Sequence, residues 1–154
     1  MKNRPNRKRR IRAAIFLAAA FLFVLSGCGR RIDYGLPATP IEFHTGTFVN
    51  PADSDDTYLS IEYDGRTYIM YGTLKSRIDG DDLGKCLGYI VQDGTVMKDT
   101  RIFLLNADPD ANYLVRFSIG GIMDQPDFFR ALDTKGKTIS TPGYIQSLDY
   151  SFWK

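Results

Sequence analysis

The chain has 154 residues and a formal net charge of +2, from 20 Lys and Arg against 18 Asp and Glu. Lys2, Arg4, Arg7, Lys8, Arg9, Arg10 and Arg12 all precede a purely apolar run, and beyond residue 27 only 13 basic residues face 18 acidic ones, a net charge of −5. An acidic remainder of that size excludes a general nucleic-acid binder, which needs a positive field, and leaves room for one domain. Cys28 and Cys86 are the only cysteines, which excludes a disulfide framework and a CxxC metal knuckle.

The first element is the apolar stretch Ala13 to Val24, followed by Leu25-Ser26-Gly27-Cys28. Behind a positive n-region this makes a tripartite export signal. Its twelve residues, or sixteen if read to Cys28, fall short of the roughly twenty that a spanning helix needs. Ser26 and Gly27 are small enough for the backbone to occupy a peptidase cleft, and the next side chain is a thiol, a nucleophile open to alkylation by lipid. These four residues resemble the lipobox of bacterial lipoproteins. The resemblance implies a diacylglyceryl group on the Cys28 sulfur, cleavage before Cys28, and a protein held on the extracytoplasmic face of the cell membrane. Residues 1–27 are then a signal peptide. Two acyl chains are what stable anchoring requires, and Arg30 and Arg31 would sit against anionic headgroups. Residues 28–40, with Gly29, Gly35, Pro37 and Pro40 and little apolar periodicity, read as a tether; Gly29 to Pro40 reach at most about 40 Å.

From Ile41 to Lys154 apolar residues alternate or come in short runs and turn residues recur, the pattern of an all-β or β-rich domain. The expectation is one small antiparallel barrel or sandwich of six to eight strands. Asp64-Gly65 predicts a two-residue type I′ hairpin, which pairs Tyr63 with Arg66, Ile61 with Tyr68 and Leu59 with Met70. Further strands are expected at Leu87 to Gln92, turning at Asp93-Gly94, at Arg101 to Asn106, at Tyr113 to Ile119 and at Asp127 to Leu132. Thr141 as a cap, Pro142 at the first position and Ile145, Leu148 and Phe152 at spacings of three and four predict a short C-terminal helix. The stretches Phe128 to Lys137 and Tyr144 to Lys154 are similar to those of small uncharacterised lipoproteins of Gram-positive bacteria, a resemblance that brings no activity with it.

His44 is the only histidine, so a two-histidine metal motif is absent and one general base is available. Its place in Ile41 to Val49 favours a strand histidine over a catalytic one. Cys86 precedes a strand and reads as a buried thiol. Asp108, Asp110 and Asn112 match the first three ligand positions of a calcium loop, but Tyr113 stands where Gly is required and Ile119 where Glu is; an Asx turn explains them better. No cofactor is expected and no metal site is assigned.

The candidate ligand-binding residues are Arg116, Arg130, Tyr58 and Tyr71. Each arginine interrupts an apolar strand. If Phe117 and Phe129 both face the core, Arg116 and Arg130 share the opposite face and stand as cross-strand neighbours. There they await either aspartates from adjacent strands or an external anion. Tyr58 and Tyr71 pair by the hairpin register as a second contact patch. The functional expectation is a lipid-anchored binding or structural module at the cell envelope. Its partners would be the membrane, through Cys28, and an envelope protein or small anionic ligand; nucleic acid is not among them. The alternatives are a small envelope hydrolase using Asp residues with His44, and a self-protection inhibitor with an acidic surface.

Overall fold

The computed structural model describes residues 32–120 and 125–154; residues 1–27, read above as a signal peptide, and Cys28 lie outside the described residues. The strands are β1 (Ile41–His44), β2 (Gly46–Asn50), β3 (Asp53–Tyr63), β4 (Arg66–Leu74), β5 (Leu83–Gln92), β6 (Thr95–Leu105), β7 (Tyr113–Ser118), β8 (Asp127–Ala131) and β9 (Ile145–Ser147). They form one sheet in the order β1-β5-β6-β7-β8-β4-β3-β2, with β9 paired to β4. Among the described residues all strand pairings are antiparallel except β1 with β5.

The hairpin at Asp64-Gly65 forms in the expected register, with Tyr63 opposite Arg66 and Ile61 opposite Tyr68. Both turn residues adopt positive φ, 50° and 71°, as a type I′ turn demands, and Asp93-Gly94 repeats the arrangement at 50° and 76°. A single residue, Thr45, separates β1 at one edge of the sheet from β2 at the other. The two edges must therefore approach each other, and the sheet curls into a half-barrel. Phe43, Ile61, Tyr68, Leu87, Ile90, Ile102, Leu114, Phe129 and Ala131 meet on the enclosed face.

The outer face is apolar too, well beyond the Ile102 to Leu105 run. Cys86, Phe103, Leu105, Tyr113, Val115 and Phe128 form a second layer, covered by Ile32, Tyr34, Leu36, Ile139 and Tyr144. A third layer joins Tyr58 and Ile69 to Phe152. Two expectations change as a result. The segment read as a tether is packed on the domain from Ile32 onward, with the Tyr34 ring 5.3 Å from that of Phe117. And Phe117 and Phe129 lie in different layers, because Phe128 and Phe129 are both fully buried on opposite faces of β8.

The short C-terminal helix is also replaced. Ile145–Ser147 is β9, and the only helical piece of the last fourteen residues is a 3₁₀ turn, Ser151–Trp153. The cause lies in the partner. The β3–β4 ladder ends at Ser60 opposite Ile69, while β3 continues alongside β2, so the far end of β4 has an open edge that β9 occupies at Gly72, Thr73 and Leu74. Gly72 makes room for it, since a Cβ there would lie 2.3 Å from the Gln146 carbonyl oxygen. An extended segment that satisfies open backbone groups outcompetes one or two turns of isolated helix.

Candidate functional site

In the β7–β8 register Tyr113 stands opposite Arg130, Leu114 opposite Phe129 and Arg116 opposite Asp127. Arg116 and Arg130 therefore point to opposite faces of the sheet, contrary to the expectation from alternation. Arg116 donates from Nε (3.0 Å) and Nη2 to Asp127 Oδ2, and the pair is about three-quarters buried. A strand-borne aspartate thus satisfies this arginine.

Arg130 has a different environment. Its guanidinium carbon lies 4.8 Å from the ring centre of Trp153, 5.4 Å from that of Tyr71 and 6.0 Å from that of Tyr113. Nε donates to Thr134 Oγ1 at 2.8 Å and Nη2 to the Thr134 carbonyl at 2.9 Å. Thr134, fully buried in the 3₁₀ turn Leu132–Thr134, donates a hydrogen bond from its hydroxyl to the Ala131 carbonyl. No carboxylate pairs with Arg130 among the described residues. Aromatic faces hold the cation in place of an anion.

The cage depends on the C-terminus. Trp153 Nε1 donates to the Met70 carbonyl at 3.0 Å, and Leu148 N donates to the Tyr71 carbonyl at 3.1 Å. The Phe152 amide donates to Tyr58 Oη. Tyr58 is buried among Phe48, Tyr150 and Phe152, and its hydroxyl donates to Asp56 Oδ2 at 2.6 Å. Tyr71 sits at a register shift in β4, between Met70 and Gly72, and stacks on Tyr113 and Trp153. Tyr58 and Tyr71 thus occupy separate layers, with the Phe152 and Trp153 rings between them. Of the four expected residues the structure brings together Tyr71 and Arg130. It adds Tyr113 and Trp153, whose sequence signal was no more than aromatic density.

No family model matches the chain, and neither a curated protein nor a solved structure matches it.

His44 is exposed on β1, 4.0 Å from Glu42, whose other oxygen accepts the Tyr89 hydroxyl and thereby raises that phenol's pKa. It stands opposite Val91, five positions along β5 from Cys86, which is roughly 16 Å of strand. No Cys/His dyad results. Cys86 is buried under the 32–36 segment, and burial pushes its thiol up. Asp108 is buried and ties its loop to the start of β7, accepting the Tyr113 amide at 2.6 Å and the Asn112 side chain at 3.0 Å.

Sequence reasoning missed Arg66. It binds Asp133 Oδ1 at 2.8 Å and the Asp110 and Ala111 carbonyls at 3.0 Å each, locking the acidic loop to the β3–β4 turn. Beside it opens a groove of 540 Å³ whose lining includes Tyr63, Lys85, Leu104, Asn106 and Asp110. Only the tertiary fold brings these segments together.

Proposed function

We propose that this protein is a lipoprotein anchored through Cys28 on the extracytoplasmic face of the cell membrane, and that its β domain is a binding or structural module of the envelope. The observation that carries the reading is Leu25-Ser26-Gly27-Cys28 at the end of a short apolar run behind seven positive charges. The binding role is preferred to hydrolysis because His44 is exposed beside Glu42 and stands opposite Val91, roughly 16 Å of strand from the Cys86 thiol. The finer fold reading is a small barrel, antiparallel except at the β1–β5 pair, supported by the single residue between the two edge strands. Within it the Arg130 cage is the natural place for an anionic ligand or an acidic partner residue, since no carboxylate pairs with its cation among the described residues.

The test is metabolic labelling with a fatty-acid analogue. The parent chain should be labelled and shortened by 27 residues, whereas Cys28→Ala should be neither. Labelling and cleavage of Cys28→Ala at the same site would dismiss the anchor.

A further inference from the structure

The 540 Å³ groove beside Arg66 continues the enclosed face of the curled sheet. Tyr63 and Leu104, both half-buried, pack against the enclosed core and also line the groove. Its walls come from three segments: the β3–β4 turn, the start of β5, and the end of β6 with the loop that follows. The mouth of a curled sheet is a common place for a small-molecule site, and such sites occupy roughly 300–1,000 Å³.

The polar groups of the groove are held in place and still have hydrogen bonds to give. Asn106 Nδ2 donates to the Asp81 and Leu83 carbonyls at 2.9 Å each. Both amide hydrogens are thereby taken, which fixes Oδ1 as an acceptor with no partner among the described residues. Gly84 keeps the flank of that oxygen free of a side chain, since a Cβ there would lie 3.1 Å from it. The loop wall is rigid as well. The Ala111 carbonyl accepts Arg66 at 3.0 Å and the Tyr68 hydroxyl at 2.7 Å, and both Asp108 oxygens are taken by Asn112 and the Tyr113 amide. Asp64, Lys85 and Asp110 are exposed along the groove and form no ion pair among the described residues.

This mixture selects the ligand. The three aspartates repel an anion and Lys85 opposes a cation, whereas a wholly apolar ligand would strip water from Asn106 Oδ1 and offer it no hydrogen bond. A hydroxyl group suits both kinds of partner, because it donates one hydrogen bond and accepts two. A sugar ring carries several hydroxyls on its edge and C–H bonds on its faces, the latter matched to the negative face of an aromatic ring. We infer that this groove binds a carbohydrate, with its hydroxyls shared among Asn106 Oδ1, Asp110 and Lys85 and its apolar face on Tyr63 and Leu104. The site is separate from the Arg130 cage, whose tyrosines belong to the outer layer, and it does not depend on the lipid anchor.

The test is nuclear magnetic resonance of the isotope-labelled full chain in a detergent without a sugar headgroup. Maltotriose and chitotriose are the saccharide probes, with spermidine and phosphate as charged controls. At least one trisaccharide should shift the Asn106 side-chain amide and the backbone amides of Tyr63, Lys85 and Asp110 while the Trp153 indole stays unmoved. Lys85→Ala and Asp110→Ala, both at exposed positions, should each weaken that binding by about tenfold, the loss of one good hydrogen bond. Their amide spectra away from the groove should match the parent, which keeps a folding defect apart from a binding one. Tyr63→Leu retains an apolar side chain and should weaken binding to a similar extent. No shift with either trisaccharide, shifts outside the groove, or affinity unchanged in both alanine variants would overturn the proposal. A stronger response of the same signals to spermidine or phosphate would assign the groove to a charged ligand and overturn it equally.

Discussion

Replacing Arg116 or Arg130 by leucine removes two different interactions. Arg116→Leu leaves Asp127 largely buried without its cation, in a pair between the exposed and fully buried cases, and should cost about 1–2 kcal/mol. Arg130→Leu removes the stack on Trp153 and Tyr71 and two donations to Thr134, again about 1–2 kcal/mol. Urea denaturation should show both losses. Phosphate titrated against melting temperature then separates roles: a rise in the parent and in Arg116→Leu that vanishes in Arg130→Leu places an anion in the cage. No rise in the parent makes Arg130 architecture. Gly65 is simpler, because φ of 71° excludes a β-branched residue at little cost. Gly65→Val should lower stability by about 1–3 kcal/mol in the same denaturation measurement.

At the scale of elements, β9 and the final turn behave as one strap over β3 and β4. Gly72→Ala places a methyl group against the Gln146 backbone and should detach β9. The loss should be about 1–3 kcal/mol, as overpacking of a close contact gives. The readout is hydrogen exchange, which should accelerate at Leu148 and Trp153 while Ile102 and Phe103 stay protected. Uniform acceleration would mean that the strap is part of the cooperative core. The strap also explains why the C-terminal helix was misread. Ile145, Leu148 and Phe152 do fall at helical spacing, but the open edge of β4 is a property of strand order, which a local pattern does not contain. The two hairpin turns were legible for the opposite reason, since Asp-Gly acts on its own backbone.

For the whole molecule, the titrating groups give a pH profile whose sign follows from their shifts. Hydrogen bonds from Ser151, Tyr58 and Asn50 hold the Asp56 carboxyl below its ordinary value of 3.8, and the Arg66 hydrogen bond does the same for Asp133. A lowered native value stabilises the fold fully above 3.8, and that contribution disappears as the pH falls through the native values. Burial raises Tyr68 and Tyr144 from 10.0 to about 12. Their contribution is complete below pH 10 and is lost as the pH rises towards 12. Melting temperature against pH should therefore fall at both extremes. Asp56→Asn should flatten the acid limb without altering the alkaline one.

The amino-acid sequence by itself determined the charge and apolar pattern of residues 1–28, the β-rich class and the registers set by Asp64-Gly65 and Asp93-Gly94. Each depends on residues within a few positions of one another. Charge, apolar run length and turn chemistry are local quantities, so they can be read without coordinates. The tertiary structure alone decided which faces were buried. With apolar layers on both sides of the sheet, period-two alternation no longer separates inside from outside, and Arg116 and Arg130 were assigned to one face on a premise that two-sided burial removes. It also decided that residues 32–36 pack on the outer layer and that Trp153 closes over Arg130. Those contacts join segments that come together only after the sheet has curled.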